Sequence, residues 1–397
     1  MENFKDVVST KADEAENMQD KLAEINNERS LFREHFLRLG YTEHEALPLT
    51  PPESDQTVSF IGSPINAFKG YLENRSDIEV PASILQPCIR THDIVNGYDL
   101  SKIPFGMPFF HIYGTFSPRG TYEKTAADVI GYFRDAHKIA NDDILIKPTI
   151  PGLSDILLAP FVAIGVKVEI DYSRYYEWRY GIDGVSGRGV TIFIRHKNGE
   201  WWDVGNVVSI SDTSGQEIAV EFGVGSEFFQ TALHGYNDPF DASHLSKIVK
   251  PENPVHKKVL TYLETALVAS GTLAVNRTRT IRMSNRYINV ALYLCEVYGY
   301  TRQEVENIAN TYKNIASTHI DVDLFLEKYD ARANVLNGLG GVFIDFLQNP
   351  IHTDANYMRN QLRKYLKKNG IRNEEVVLYV EKNYKNNVEI QSLCKNL

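Results

Sequence analysis

The sequence predicts an α+β protein: an antiparallel sheet flanked by helices over residues 1–241, then an all-α domain over residues 242–397. Two observations carry this division. Between Thr57 and Phe240 the chain consists of short runs rich in Val, Ile, Tyr and Phe, broken by Gly, Pro and Asp, which is the texture of strands and turns. Past Asp241 those runs give way to helix-length segments with apolar residues at helical spacing. The composition agrees. A chain of 397 residues exceeds one ordinary domain, and 43% hydrophobic against 23% charged residues is enough to build a core.

The elements can be justified in order. From Thr10 to Leu39 the residues Met18, Leu22, Ile25, Phe32, Phe36 and Leu39 recur near helical spacing, and Gly40 is placed to close that helix in a left-handed cap. Tyr122 to Ala140 is helical in pattern. Val166 to Ile170, Gly189 to Arg195, Trp201 to Ser211 and Gln216 to Phe222 are successive strands, with His196-Lys-Asn-Gly199 a hairpin turn. Gly225 to Gly235 is a short helix directly after the last of these. In the second domain, helices span Asn253 to Ala269, Arg279 to Tyr298 and Thr301 to Ala316, the last opened by a Thr301/Glu304 capping box. Two polar helices follow, Asn356 to Asn369 and Asn373 to Asn387, the first with Leu362, Tyr365 and Leu366 on one side.

Several classes of function are disfavoured. With 42 basic against 51 acidic residues the net charge is -9, so a polyanion could be met only by a local basic patch. Cys88, Cys295 and Cys394 have no CxxC or Cys/His ligand spacing, so neither a disulfide framework nor a resident metal site is predicted. The longest apolar run, Ile156 to Val166, is far below the roughly 20 residues that span a bilayer. The expectation is a cytoplasmic protein with no membrane partner. The oligomeric state cannot be read from the sequence.

Four clusters could carry chemistry. Arg90 sits in an extended apolar segment, Gln86 to Asp93, joined by a long polar loop to a second one, Met107 to Ser117, and a guanidinium there suits a phosphate or carboxylate, or else an internal ion pair. His111 lies in the second segment, where a structural histidine is the commoner outcome. Glu221-Phe-Gly223-Val-Gly225 closes a strand before a helix, so the glycines either admit a nucleotide to the backbone or simply make a tight turn. Asp203 and Gly205 share one face of a strand while Asn206 points oppositely, so only a bulge or an edge would let all of them serve one site, and Trp178 walls a pocket or fills a core. Arg277, Arg279, Arg282 and Arg286 cluster at a helix start, as a phosphate-backbone surface or a solvated face.

Taken in order, these clusters resemble the class II aminoacyl-tRNA synthetases, and within them the alanyl-tRNA synthetase family, over roughly residues 30 to 300. Asn66-Ala-Phe68-Lys69 resembles the end of the first motif region. Cys88-Ile-Arg90 with Phe109-Phe-His111-Ile-Tyr-Gly114-Thr-Phe-Ser117 resembles the two strands of motif 2, and Trp178 with Gly181, Gly184, Gly187 and Gly189 resembles a Trp and glycine-rich segment. Asp203-Val-Gly-Asn206-Val-Val is similar to the family's Glu-Ile-Trp-Asn-x-Val strand, Glu221 to Phe228 to motif 3, and Ser270 to Arg279 to the helical segment that meets the tRNA acceptor stem. The resemblance implies a six-to-seven-stranded antiparallel sheet. Its activity would be ATP-dependent activation of a small, alanine-like amino acid as an aminoacyl-adenylate and transfer to an acceptor, with tRNA first. The length leaves no room for the family's editing domain, which would make this a truncated paralogue. A biosynthetic paralogue acting on a small molecule or carrier protein, and a non-catalytic binding protein of the same shape, are the alternatives.

Carried over residue by residue, the resemblance implies that Arg90 and His111 are catalytic and that Arg90, Phe110, Gly223, Gly225 and Phe228 hold ATP. Trp178, Asn206 and Glu221 would bind the amino acid, and Asn276, Arg279 and Arg282 the tRNA, while Mg²⁺ would bridge the phosphates. Three departures stand out. Phe228 replaces the motif 3 arginine and cannot neutralise phosphate, His111 replaces a glutamate, and Gly205 replaces a tryptophan, which should enlarge the amino-acid pocket. His111, Arg119 and Arg188 are the candidates for restoring the missing charge.

Overall fold

The computed structural model describes residues 11–395 apart from 54, 77, 104–105, 150–153, 172–175, 276 and 349–354. The chain divides into two compact units. One comprises residues up to Thr91, Pro104–Pro251 and Asn314–Thr318; the other comprises His92–Ile103, Glu252–Lys313 and residues from His319 on. Residues 242–251, assigned to the helical domain on sequence pattern, thus fold with the sheet.

The first unit begins with α1 (Lys11–Arg38). Gly40, at φ +86°, lets the chain reverse so that the Tyr41 N–H donates to the Phe36 carbonyl at 3.0 Å, as expected of a left-handed cap. The helix seats Phe32 and Phe36 among Tyr113, Tyr132 and Phe222. Then come β1 (Thr42–Glu43), α2 (Lys69–Asn74), β2 (Ala82–Ile89), β3 (Phe109–Pro118), α3 (Tyr122–Gly131, prolonged by a π turn to Ala136), β4 (Ile144–Pro148), α4 (Ser154–Ile164), β5 (Lys167–Val168), β6 (Trp178–Arg179), β7 (Val185–Arg195), β8 (Trp201–Asp212), β9 (Glu217–Gly225) and α5 (Ser226–His234). The strands form one nine-stranded sheet in the order β1-β2-β3-β9-β8-β7-β4-β5, with β6 pairing to β7. The pairs are antiparallel except β1 with β2 and β4 with β5.

Nine strands, not six or seven, is a correction with a simple cause. β1 and β6 are two residues each, too short to carry any periodicity. The hairpin turn between β7 and β8 forms as expected, with Gly199 at φ +89° and the His196 N–H donating to Glu200 O at 2.8 Å.

Alternation along the strands gives the sheet two distinct faces. One carries Tyr113, Val190, Ile192, Val207, Val220, Phe222 and Val224 into a core shared with residues of α1, α3, α4 and α5. The other carries Ile84, Phe116, Val208, Ile210 and Ala219 into a smaller cluster beneath Phe68 and Leu72.

The second unit is helical: α6 (Pro254–Ser270), α7 (Thr278–Tyr298), α8 (Arg302–Lys313), α9 (Val322–Gln348), α10 (Ala355–Asn369), α11 (Asn373–Asn383) and α12 (Val388–Cys394). The capping box at α8 forms, with Glu304 accepting from the Thr301 N–H at 2.7 Å. Leu339, Phe343, Leu362, Leu366 and Val376 make one core, beside which the buried Arg332 grips Glu375 and the carbonyls of Asn369 and Gly370. Lys258 is fully buried in α6, and its ammonium donates to the carbonyls of Asn96, Asp99 and Lys102 at 2.7–2.9 Å. That lysine ties the segment between β2 and β3 to the helices. Among the described residues no helix is long and apolar enough to cross a membrane.

Candidate active site

Strand register decides which candidate residues can meet. Glu221 lies opposite Phe116 on β3 and Val208 on β8, while Gly223 lies opposite Gly114 and Asn206. Ile112 lies opposite Gly225. Glu221, Gly223, Gly225 and Asn206 therefore share one face of the sheet, the face away from α1 and α3. Thr191, opposite Asn206 on β7, and Lys147, opposite Thr191 on β4, continue it.

Glu221 anchors one part of this face. It is 8% exposed, it accepts a hydrogen bond from the Tyr180 hydroxyl at 3.1 Å, and the Ser63 side chain also bonds to it. Burial penalises its charged form more than these bonds favour it, so its pKa is pushed up to about 7. A carboxyl so placed is ready to ionise against an incoming cation. Asn206 is held by two hydroxyls: Tyr176 donates to its Oδ1 at 2.9 Å and Thr191 at 3.1 Å. Trp178 packs edge-on to Tyr176 at 4.4 Å between ring centroids and pairs with Gly187 on β7. A side chain at Gly187 would collide with Val208 and the Tyr180 hydroxyl, so that glycine lets the Trp178 and Glu221 groups close up. Trp178, Asn206 and Glu221 are thus brought together, through Tyr176 and Tyr180.

Arg90 follows the end of β2, its backbone N–H donating to Pro108 O at 2.9 Å. Its guanidinium carbon stands 5.0 Å from the Phe110 ring centroid, and its Nε reaches the Gly62 carbonyl at 3.5 Å. Phe110 in turn meets Phe228 edge-to-face at 6.5 Å, and Phe228 packs against the position a Gly225 side chain would occupy. Arg90, Phe110, Phe228, Gly225 and Gly223 consequently line one continuous stretch of the same face. Gly223 is informative because nothing in the fold demands a glycine there. Its φ is not positive, and a Cβ would meet only Ile112 at 3.5 Å, an ordinary contact. Its bare backbone leaves a flat surface beside Asn206, fit for a planar group.

Three expectations are corrected. His111 alternates with Phe110 and Ile112 and so points to the opposite face. There it is buried: its ring Nδ1 bonds to one Glu227 oxygen at 2.6 Å, its backbone N–H donates to the other at 2.9 Å, its Nε2 meets the Ser317 hydroxyl, and its ring stacks on His244. It is structural, and it cannot stand in for the missing charge. Arg188 also points away, alternating with Gly187 and Gly189 and pairing with Glu177 at 3.1 Å. Gly205 opens no pocket, because a Cβ there would run into the Gly223 carbonyl; the two strands need a glycine to close.

A bulge occurs in the Asp203–Asn206 segment, and Gly205 stays on the core face. The register shifts so that Ile192 faces Gly205 while Phe193 faces Asp203, which skips Val204 and turns Asp203 to the same face as Asn206. Beyond Asn206 the face opens into a cavity of about 310 Å³ lined by Lys147, Thr149, Asp171, Thr191, Phe193 and Trp201. Tyr176, Tyr180, Thr191 and this cavity were not anticipated. Tyrosines flanking Trp178 in a polar segment were the available signal.

Asn276 lies outside the described residues. Arg279 and Arg282 are exposed one turn apart near the start of α7 in the helical unit. Among the described residues no group of three or more His, Cys, Asp or Glu side chains is arranged to hold a metal ion.

No family model and no curated protein sequence matches this chain. Among solved structures it is similar to the histidyl-tRNA synthetase of S. aureus, at 10% identity and a TM-score of 0.37, covering 54% of this chain and 70% of that one. It is also similar to the aspartyl-tRNA synthetase of Entamoeba histolytica, at 10% identity and a TM-score of 0.35, covering 56% of this chain and 57% of that one. At these scores the likenesses assign no activity.

Proposed function

We propose that the protein activates an amino acid with ATP, forming an aminoacyl-adenylate and releasing pyrophosphate, and passes the acyl group to an acceptor, with tRNA the first to test. The observation that carries this reading is the convergence of Arg90, the bare Gly223 backbone and the buried Glu221 on one sheet face. The substrate carboxylate attacks the α-phosphorus, and Arg90 neutralises the charge that builds on the pentavalent phosphorus. Glu221 gives up its proton and pairs with the substrate ammonium. Asn206, its oxygen fixed by Tyr176 and Thr191, turns its amide toward the same substrate. Gly223 and Gly225 admit the adenosine, with the Phe110 and Phe228 rings beside it. Arg279 and Arg282 supply the phosphate-backbone contacts in the helical unit. A resident metal is not built into this scheme.

One observation favours a second reading, a non-catalytic binding protein: Phe228 puts a phenyl ring where nucleotide phosphates need a cation. Exchange of labelled pyrophosphate into ATP, measured with each amino acid, decides between them. Exchange with at least one amino acid, lost in Arg90→Ala, is expected. Nucleotide or tRNA binding with no exchange for any amino acid favours the second reading. Trapping the adenylate with tRNA, a carrier protein or small nucleophiles then identifies the acceptor.

A further inference from the structure

We propose that the cavity beside Asn206 receives the side chain of the activated amino acid and selects a long polar one in preference to alanine. This rests on the activation reading above. Three features carry it. The cavity lies on the same face as Glu221, entered across Thr191, whose hydroxyl is bonded to Asn206 at 3.1 Å. At about 310 Å³ it is some ten times the roughly 30 Å³ that one water occupies in the liquid, so a methyl side chain would leave it almost wholly wet. Glu221 on β9 and Lys147 on β4 are three strand spacings apart and two residues out of register, roughly 16 Å between their backbones. An amino acid with its ammonium at Glu221 therefore needs a long side chain for its tip to approach Lys147.

The far end of the cavity is built for a polar tip. Lys147 Nζ is fixed by Glu169 at 3.0 Å and Asp171 at 3.2 Å, which leaves one ammonium N–H beyond those two bonds, over Phe193. An ammonium donor beside a carboxylate acceptor matches a group that both gives and takes hydrogen bonds, while Phe193 and Trp201 cover the methylenes that lead to it. An aliphatic side chain of the same length would strand the Lys147–Asp171 pair without exchange for its lost water.

The test is calorimetric titration of the full chain with alanine, serine, leucine, glutamine, glutamate, lysine and arginine, in the presence and absence of ATP. At least one long polar amino acid should bind ten times more tightly than alanine or leucine, and Lys147→Met should remove that advantage. Because Lys147→Met could loosen the sheet edge, Asp171→Asn, at a half-exposed position, is the second variant and should weaken the same ligand several-fold. Alanine, serine or leucine as the tightest ligand overturns the proposal, as does selectivity that both variants leave intact. The two readings fail separately. Binding of a long polar amino acid without ATP binding keeps the pocket and discards activation; Arg90-dependent pyrophosphate exchange supported best by alanine, serine or leucine does the reverse.

Discussion

Replacing Glu221 with Gln should make the protein more stable and less able to bind its substrate. Burial raises this carboxyl from 4.5 to about 7. Between those values the folded protein keeps a proton that the unfolded chain has released, so stability falls as pH rises through this window and the whole penalty is present above pH 7. A shift of that size corresponds to roughly 3 kcal/mol. Glutamine has nearly the same shape, still accepts from Tyr180, and never ionises, so Glu221→Gln should gain most of that amount at pH 8 and almost nothing at pH 4.5. Parallel denaturant titrations at the two pH values read this directly. The binding consequence has the opposite sign. Removing one partner of a buried charge pair costs about 3 kcal/mol, so amino-acid affinity should fall about a hundredfold, and the wild-type protein should bind more tightly at pH 8 than at pH 6. Equal stability of the two proteins at pH 8, or unchanged substrate affinity, would refute the reasoning.

Other predictions address residues away from the sheet face that carries Glu221. His111→Gln should lower the melting temperature, because Glu227 loses a buried hydrogen-bond partner, yet leave ATP affinity within about threefold; a large loss of ATP binding in a stably folded variant would return His111 to the candidate site. Lys258→Met should expose the amides of residues 92–103 to rapid hydrogen exchange, since three carbonyls lose their ammonium donor at a cost of about 3 kcal/mol. Unchanged protection there would contradict the clamp. Replacing both Arg279 and Arg282 with Ala should weaken tRNA binding and reduce its logarithmic salt slope by about 2, measured by filter binding across salt concentrations; an unaltered slope would remove these arginines from the interface.

Much of the fold was legible because it rests on local signals. The spacing of Phe32 and Phe36, Gly40 after the helix, the turn at Gly199 and the Thr301/Glu304 box each act within a few residues, and each is found where expected. The long helix α9 was missed because Gly338, Gly340 and Gly341 break its pattern. Two of those glycines are there for tyrosine: side chains at Gly338 and Gly340 would collide with the hydroxyls of Tyr365 and Tyr379, residues more than twenty positions away. The site was legible by residue type and not by direction. Arg90, Glu221 and Asn206 fall on one sheet face, whereas His111 lies one step of strand alternation away from it. Gly205 failed because the reason for it is the backbone of the neighbouring strand. The cavity was invisible because its walls come from β4, β7, β8 and the segment after β5, which only the sheet order brings together.

The most direct measurement is a co-crystal structure of the full chain with a non-hydrolysable aminoacyl-sulfamoyl adenosine. The account predicts the sulfamoyl group within hydrogen-bonding distance of Arg90, the α-ammonium on Glu221 and the nucleoside along Gly223 and Gly225. An analogue bound elsewhere, or on the His111 face of the sheet, would contradict it.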